Sequence, residues 1–299
     1  MTKINREAGD KTKGFTLQKQ RALALFFDTI KKQPNSHVNV AIEYQGDVFL
    51  QNDEIGYIEE QKNYDELSTF SFNSPQILNT LVYFLEIWIS EKQSSSIKFG
   101  FYSTNKTTKE NNTERTKKLK IELPEDGLLN LVMAKDYDKK KLVLDSVRKY
   151  LVDEYSNQYT VDVNEVLNDI SLTNFLDSID WLFEQNNEKN YEEELLNKIK
   201  ESDLASTLKN DFQPNFVYAD LMVALEKKQD ETDSLLKFLT KDRVELSFLK
   251  VSHGEETNIR AFKYLNFNFE EINKKTKDWL ELFLKAKYFS NVKNKKFPE

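Results

Sequence analysis

The residues best suited to chemistry lie between Val38 and Tyr64, in the stretch VNVAIEYQGDVFLQNDEIGYIEEQKNY. It holds Glu43, then Asp47 after a Gly-containing turn, then Glu60-Gln61-Lys62 closing a short apolar run. In a strand, residues two apart face the same side, so Glu60 and Lys62 project together. Asp47 opens the neighbouring strand and can sit across from them. The spacing predicts two or three carboxylates and one ammonium around a single point. Such a cluster suits a hard cation with oxygen ligands, Mg²⁺ (or Mn²⁺), held by Asp47 and Glu60 with Glu43 as a further donor. A metal-bound water is a stronger acid than free water, and the same ion neutralises charge growing on a phosphate oxygen. Lys62 would orient the attacking water or stabilise the phosphorus centre.

Each of these residues also has a plainer reading. Asp47, Glu60 and Lys62 could be ordinary solvated strand charges. Glu43, beside Ala41 and Ile42, is either an outer metal ligand or a strand-end charge. Gln18, one helical turn after Phe15, either bonds into the site or sits on the helix surface. Glu59 alternates with Glu60 and is expected on the opposite face, without a role. Tyr57 and Tyr64 flank the strand and would stack on sugars or pack in the core. Gly100, in Phe99-Gly100-Phe101, marks either a close backbone approach or simply a buried strand. His37 and His253, the latter expected in a turn, form no base–nucleophile pair.

These side chains need elements to position them. Apolar spacing from Phe15 to Ile30 predicts a helix, ended by Gln33-Pro34-Asn35. Three short strands follow, Val38–Tyr44, Val48–Gln51 and Ile55–Glu60, separated by Gln45-Gly46-Asp47 and by Gln51 to Glu54. Asn73 and Ser74 before Pro75 start a second helix, running to about Glu91. Leu81, Phe84, Leu85 and Trp88 form its core stripe. Ile97–Ser103 reads as a buried strand. Residues 104–120 carry six Lys/Arg and two Glu, a local charge of 6 − 2 = +4, and read as an exposed loop or frayed helix start. They would either grip phosphates or simply be solvated. From about Asp136 the pattern is almost wholly helical, with helices marked by Leu142 to Leu151, Tyr191–Lys200, Leu221–Leu239 and Asn273–Tyr288. Phe175 to Leu182 fits either a strand or a helix. The expected organisation is a flexible N-terminus (1–13), an α/β core (14–135) and a mostly helical interaction region (136–299).

Composition limits the chemistry further. The 299 residues contain no Cys and two His, which rules out thiolate nucleophiles, disulfides and zinc sites built on Cys or on several His. The net charge of −7 excludes a uniformly basic nucleic-acid coat but leaves room for a local basic patch. Aromatics at 12% suffice for a core although apolar residues reach only 39%. The seven Gly form no phosphate-cradling loop. Leu78–Ile89 is broken by Asn79, Thr80 and Glu86 and is too short to span a bilayer. The N-terminus has no apolar signal core. No membrane association and a cytoplasmic location are expected.

Asp47, then Glu60-x-Lys62, on a β-meander behind a helix resembles the PD-(D/E)xK, or restriction-endonuclease-like, superfamily, whose core order is α-β-β-β-α-β. GFTLQKQRALALFF, AIEYQGDV, YIEEQKNYD and LNTLVYFLEIW are also similar to the N-terminal double-stranded-DNA endonuclease domain of CBASS- and Lamassu-type antiphage effectors. Gly14, Phe15, Gln18, Glu43, Asp47, Glu60 and Lys62 carry that likeness, which covers residues 14–105 well and the following helical part more loosely. The resemblance implies an α/β fold with a helical C-terminal region. It also implies a Mg²⁺-dependent endonuclease acting on double-stranded DNA, with Asp47, Glu60 and Lys62 in the active site and Glu43 and Gln18 in support. No cyclic-nucleotide sensor is evident, so a separate partner such as an SMC-like or other ATPase subunit is expected, with oligomerisation on activation. A scaffold subunit of a DNA-associated ATPase complex and a site-specific restriction enzyme are the rival readings.

Overall fold

The computed structural model describes residues 8–64, 68–136, 140–160 and 162–265. Its elements run in the order α1 (Ala8–Lys32), β1 (Asn39–Ile42), β2 (Val48–Gln51), β3 (Gly56–Lys62), β4 (Thr69–Phe70), α2 (Pro75–Ser90), β5 (Ile97–Ser103) and β6 (Lys106–Thr107). There follow α3 (Glu114–Lys118), α4 (Leu128–Met133), α5 (Lys140–Gln158), α6 (Asp169–Asp177), β7 (Ile179–Leu182), α7 (Glu188–Glu201), α8 (Gln213–Gln229), β8 (Leu239–Thr240) and α9 (Lys241–Leu265). The expected α-β-β-β-α-β order stands, as α1-β1-β2-β3-α2-β5, with the two-residue β4 inserted. The fold is mixed α/β with a helical C-terminal region.

Six strands form one sheet in the order β7-β5-β3-β2-β1-β8. β1, β2 and β3 pair antiparallel as a meander, whereas β3, β5 and β7 run parallel. Parallel neighbours need a crossover, and α2 provides the one between β3 and β5. Period-two alternation divides the sheet into two faces. Val40, Ile42, Val48, Leu50 and Tyr57 pack with Leu17, Leu23 and Phe26 of α1 and with apolar residues of α7, α8 and α9. Ala41, Phe49, Ile58, Phe99 and Phe101 pack instead with α2, α4, α5 and α6. Helices therefore cover both faces, as a sheet with parallel strands requires.

Local sequence explains the edges of these elements. α1 ends where Pro34 cannot continue it. α2 begins after Ser74 in extended conformation with Pro75 in its first turn, and buries Leu81, Phe84, Leu85 and Trp88 as the periodicity predicts. Phe84 stacks on Phe99 at 4.7 Å between ring centroids, so truncating it would cost roughly 3–5 kcal/mol.

Several expectations change. α1 starts at Ala8, inside the stretch read as flexible, while residues 1–7 lie outside the described set. β1 stops at Ile42 because Glu43 turns the chain with φ +52°. The ambiguous stretch 175–182 divides between the end of α6 and strand β7, broken at Ser178. The helix expected at 221–239 instead spans Gln213–Gln229, and Leu239 enters the sheet. His253 lies within α9 rather than in a turn. The helix expected at Asn273–Tyr288 lies outside the described residues. The region beyond 136 is not wholly helical, since both edge strands of the sheet, β7 and β8, come from it.

Candidate active site

The hairpin between β1 and β2 is shaped by two backbone positions. Glu43 has φ +52° and its N–H donates to the Asp47 carbonyl at 3.3 Å. Gly46 has φ +107°, and a Cβ there would lie 2.9 Å from Ile58 Cγ2 and 3.1 Å from the Glu59 carbonyl oxygen. Only glycine fits comfortably there, because both the dihedral and the space exclude a side chain. This tight turn presses the loop onto β3. Val48 pairs with Glu59, so Asp47 falls one step further along, opposite Glu60.

α1 then joins the cluster. Gln18 is only 8% exposed, and its Nε2 donates to Glu43 Oε1 at 2.8 Å and to Asp47 Oδ1 at 2.9 Å. The helix-surface reading of Gln18 therefore gives way to a bond into the site. Asp47 Oδ2 accepts from the Gln61 backbone N–H at 2.5 Å. Lys62 Nζ donates to Glu60 Oε2 at 2.7 Å, and both side chains are mostly shielded, at 21% and 17% exposure. Glu43, Asp47, Glu60, Lys62 and Gln18 thus meet at one end of the sheet. A cavity of about 290 Å³ opens there, lined among others by Gly14, Gln18, Asp47, Gln61, Lys62 and Tyr64.

The electrostatics follow from burying several like charges together. Burial pushes the Asp47 carboxyl up to about 7; Glu60 and Glu43 add to the rise, while Lys62 and the Gln61 N–H oppose it. Burial works against the Lys62 ammonium, but Glu60 and Asp47 outweigh it and hold the group above its ordinary range. Lys62 is charged at neutral pH.

A divalent cation fits this chemistry. Gln18 Oε1 is buried without a hydrogen-bond partner, next to carboxylates that one ammonium does not balance. Mg²⁺ is commonly held by one or two carboxylates, with water or phosphate completing its shell. Among the described residues, however, no three Asp, Glu or His side chains are grouped to hold one ion. Asp47 and Glu60, with Glu43 tied to Asp47 through Gln18, would leave further ligand positions to water or phosphate.

Other residues resolve as follows. Glu59 does face away from Glu60, but it is fully buried and bonded rather than idle: Arg21 Nε donates to it at 3.0 Å. Tyr57 is core, and its hydroxyl donates to Glu59 at 3.4 Å. Gly100 is needed for close approach, since a Cβ there would meet Tyr57 Oη at 2.0 Å. Tyr64 is half exposed at the cavity and packs edge-on to Phe70. The basic stretch is partly neutralised, with Lys106 at 3.6 Å from Glu184 and Arg115 at 2.7 Å from both Asp153 and Glu154. His37 bonds Asp53 on the surface, away from the cluster.

Sequence reading missed Tyr83 and Arg21. Tyr83 of α2 is half-buried; burial raises its hydroxyl pKa, and the charges of Glu60 and Asp47 raise it further. Its only sequence signal is a position on α2 next to the core stripe. Arg21 lies one turn beyond Gln18, a spacing that places both on one side of α1.

No family model matches the chain, and no curated protein matches it. Among solved structures, the Cap4 SAVED/CARF-domain containing receptor of Moraxella osloensis is similar at 15% identity with a TM-score of 0.44. The match covers 81% of this chain and 48% of the receptor, so the chain spans about half the receptor's length. A likeness of this size assigns neither family nor activity.

Among the described residues, no helix is long and apolar enough to cross a membrane.

Proposed function

We propose that the chain is a metal-dependent endonuclease subunit that hydrolyses phosphodiesters of double-stranded DNA in antiphage defence. One observation carries the reading: Asp47, from the turn that leads into β2, and Glu60 and Lys62, from the neighbouring β3, share one site with Gln18 and Glu43 beside a cavity. Asp47 and Glu60 would hold Mg²⁺ or Mn²⁺. The ion, when bound, would acidify a water and neutralise charge on the phosphate. Lys62, charged and held by Glu60, would orient the water or donate to the phosphoryl oxygen. Gln18 fixes the Asp47 and Glu43 carboxylates, and the Gln61 N–H fixes the second oxygen of Asp47. Hydrolysis joins the water oxygen to phosphorus, breaks the bond to one ester oxygen and returns a proton to that oxygen.

The defence setting and the partner rest on the sequence resemblance to CBASS- and Lamassu-type effectors. Such a nuclease must be restrained to spare its host. Assembly with a partner ATPase, bringing two sites together, would release it. The test incubates the purified chain, alone and with the products of neighbouring genes, with plasmid and Mg²⁺. Cutting that Lys62→Ala abolishes supports the reading; intact DNA under every activated condition, or undiminished cutting by that variant, ends it.

A second reading, a non-catalytic subunit that docks onto a DNA-associated ATPase, is favoured by the absence, among the described residues, of three acidic or histidine ligands around one point. Calorimetry separates the two, because a scaffold takes up no Mg²⁺ or Mn²⁺ at Asp47 and Glu60.

A further inference from the structure

Behind the acidic cluster, on the α1 face of the sheet, lies a second set of polar groups with no part in the chemistry above. Arg21 of α1 is 9% exposed and Glu59 of β3 is fully buried. The guanidinium grips the carboxylate with two nitrogens, Nε to Oε1 at 3.0 Å and Nη2 to Oε2 at 2.5 Å. Its remaining nitrogen, Nη1, donates to the Tyr191 hydroxyl of α7 at 2.7 Å. The Tyr102 ring lies under the guanidinium, 4.7 Å from its centroid. Glu59 also accepts from Tyr57 Oη and, at 3.0 Å, from Gln61 Nε2.

Gln61 links this set to the site. Its side chain bonds Glu59, while its backbone N–H bonds Asp47. The residues on either side of it in β3 are Glu60 and Lys62. A continuous path of bonds therefore runs from Arg21 through Glu59 and Gln61 to Asp47. Gln18, on the same helix, bonds Asp47 from the other side. Two-point attachment of this kind restrains both the sliding and the rotation of α1 against β3. A bidentate pair has defined geometry and so sets position as well as adding energy. Buried ion pairs add little net stability over apolar replacements of similar size, so positional control is the contribution that such replacements would lose.

We propose that Arg21 and Glu59 are positioning residues: a buried clamp that registers α1 against β3 and, through Gln61, holds Asp47 opposite Glu60 and Lys62. The proposal deepens the nuclease reading and rests on it only for the catalytic consequence. The clamp itself is tested without metal or DNA.

The primary measurement is backbone amide exchange in the full chain. The variant is Arg21→Met/Glu59→Leu, which removes both charges together and leaves no lone buried ion. The expected result is a melting temperature near that of the parent, unchanged protection at Ile58 and Phe101, and exchange at Gln61 at least tenfold faster. Parental exchange at Gln61 in the folded double variant overturns the clamp. If that variant does not fold, Arg21→Met/Glu59→Gln keeps an acceptor for Tyr57 and Gln61 while cutting the tie to α1. It should still speed exchange at Gln61 several-fold, and parental exchange there again refutes the proposal.

Mn²⁺ titration followed by calorimetry separates the two levels. The clamp predicts Mn²⁺ binding to the parent and roughly tenfold weaker binding to the variant, the range seen for residues that orient metal ligands. Equal affinity in both overturns the catalytic part of the proposal and leaves the nuclease reading standing. No Mn²⁺ uptake by the parent ends the nuclease reading, while the exchange result still decides the clamp.

Discussion

Two neighbouring carboxylates on β3 live in opposite worlds. Glu59 points toward α1, is fully buried, and meets a guanidinium through both its oxygens. Glu60 points to the other face and shares one lysine with a crowded set of acids, Asp47 above all. The first charge is balanced and locked. The second belongs to a group that is short of positive charge, with an unpartnered amide oxygen nearby. The Glu59 charge is neutralised where it sits, whereas the Glu60 side keeps carboxylates that one ammonium does not balance, an excess that a bound cation would offset under the nuclease reading. A single peptide step separates the two because strand residues alternate in facing.

Removing the ammonium on the Glu60 side should give the largest effect. Lys62→Ala is expected to lower plasmid cleavage by roughly 10²- to 10⁴-fold, with the fold retained in circular dichroism. On the other face, Glu59→Leu leaves Arg21 buried without its counter-ion. It should cost roughly 3–5 kcal/mol of stability in denaturant titration, and a loss below about 1 kcal/mol would mean that Arg21 finds water and the contrast between the faces is false. Gly46→Ala strains the turn that presses Asp47 toward Glu60 and should destabilise the chain by roughly 1–3 kcal/mol, read as a lowered melting temperature.

The metal-free protein should also show a pH dependence of its stability. The folded Asp47 carboxyl titrates at about 7, above its unfolded value of about 3.9. Between those values the folded state holds the extra proton, so stability falls as pH rises from about 4 to 7. Asp47→Asn should flatten that decline in thermal melts at pH 5, 6, 7 and 8. Mg²⁺ should raise the melting temperature of the parent at pH 8 more than at pH 5, because the ion needs the ionised carboxylate.

Much of the first hundred residues was legible because period and punctuation agree there. Pro34 stops α1, Ser74-Pro75 starts α2, and the stripe of Leu81, Phe84, Leu85 and Trp88 is buried as its spacing implies. The C-terminal half was less legible. Leu239 lies in an apolar context that fits a helix, yet β1 offers it an edge to pair with, at Val40. Pairing of that kind is a long-range opportunity that no local window contains. Asp47, Glu60 and Lys62 were visible as a group because residues on adjacent short strands have few ways to be arranged. Tyr83 and Arg21 were invisible, since each is brought to its partners by the packing of a helix on a sheet.

The types and the alternation along β3 were therefore settled by the sequence alone: which residues could ligate, and that Glu59 and Glu60 must part to opposite faces. Tertiary structure decided what each face meets. Arg21 arrives at Glu59, and Gln18 at Asp47 and Glu43, only when α1 lies across the sheet. A side chain's direction is local geometry, but its partner comes from chain that folds back from far away.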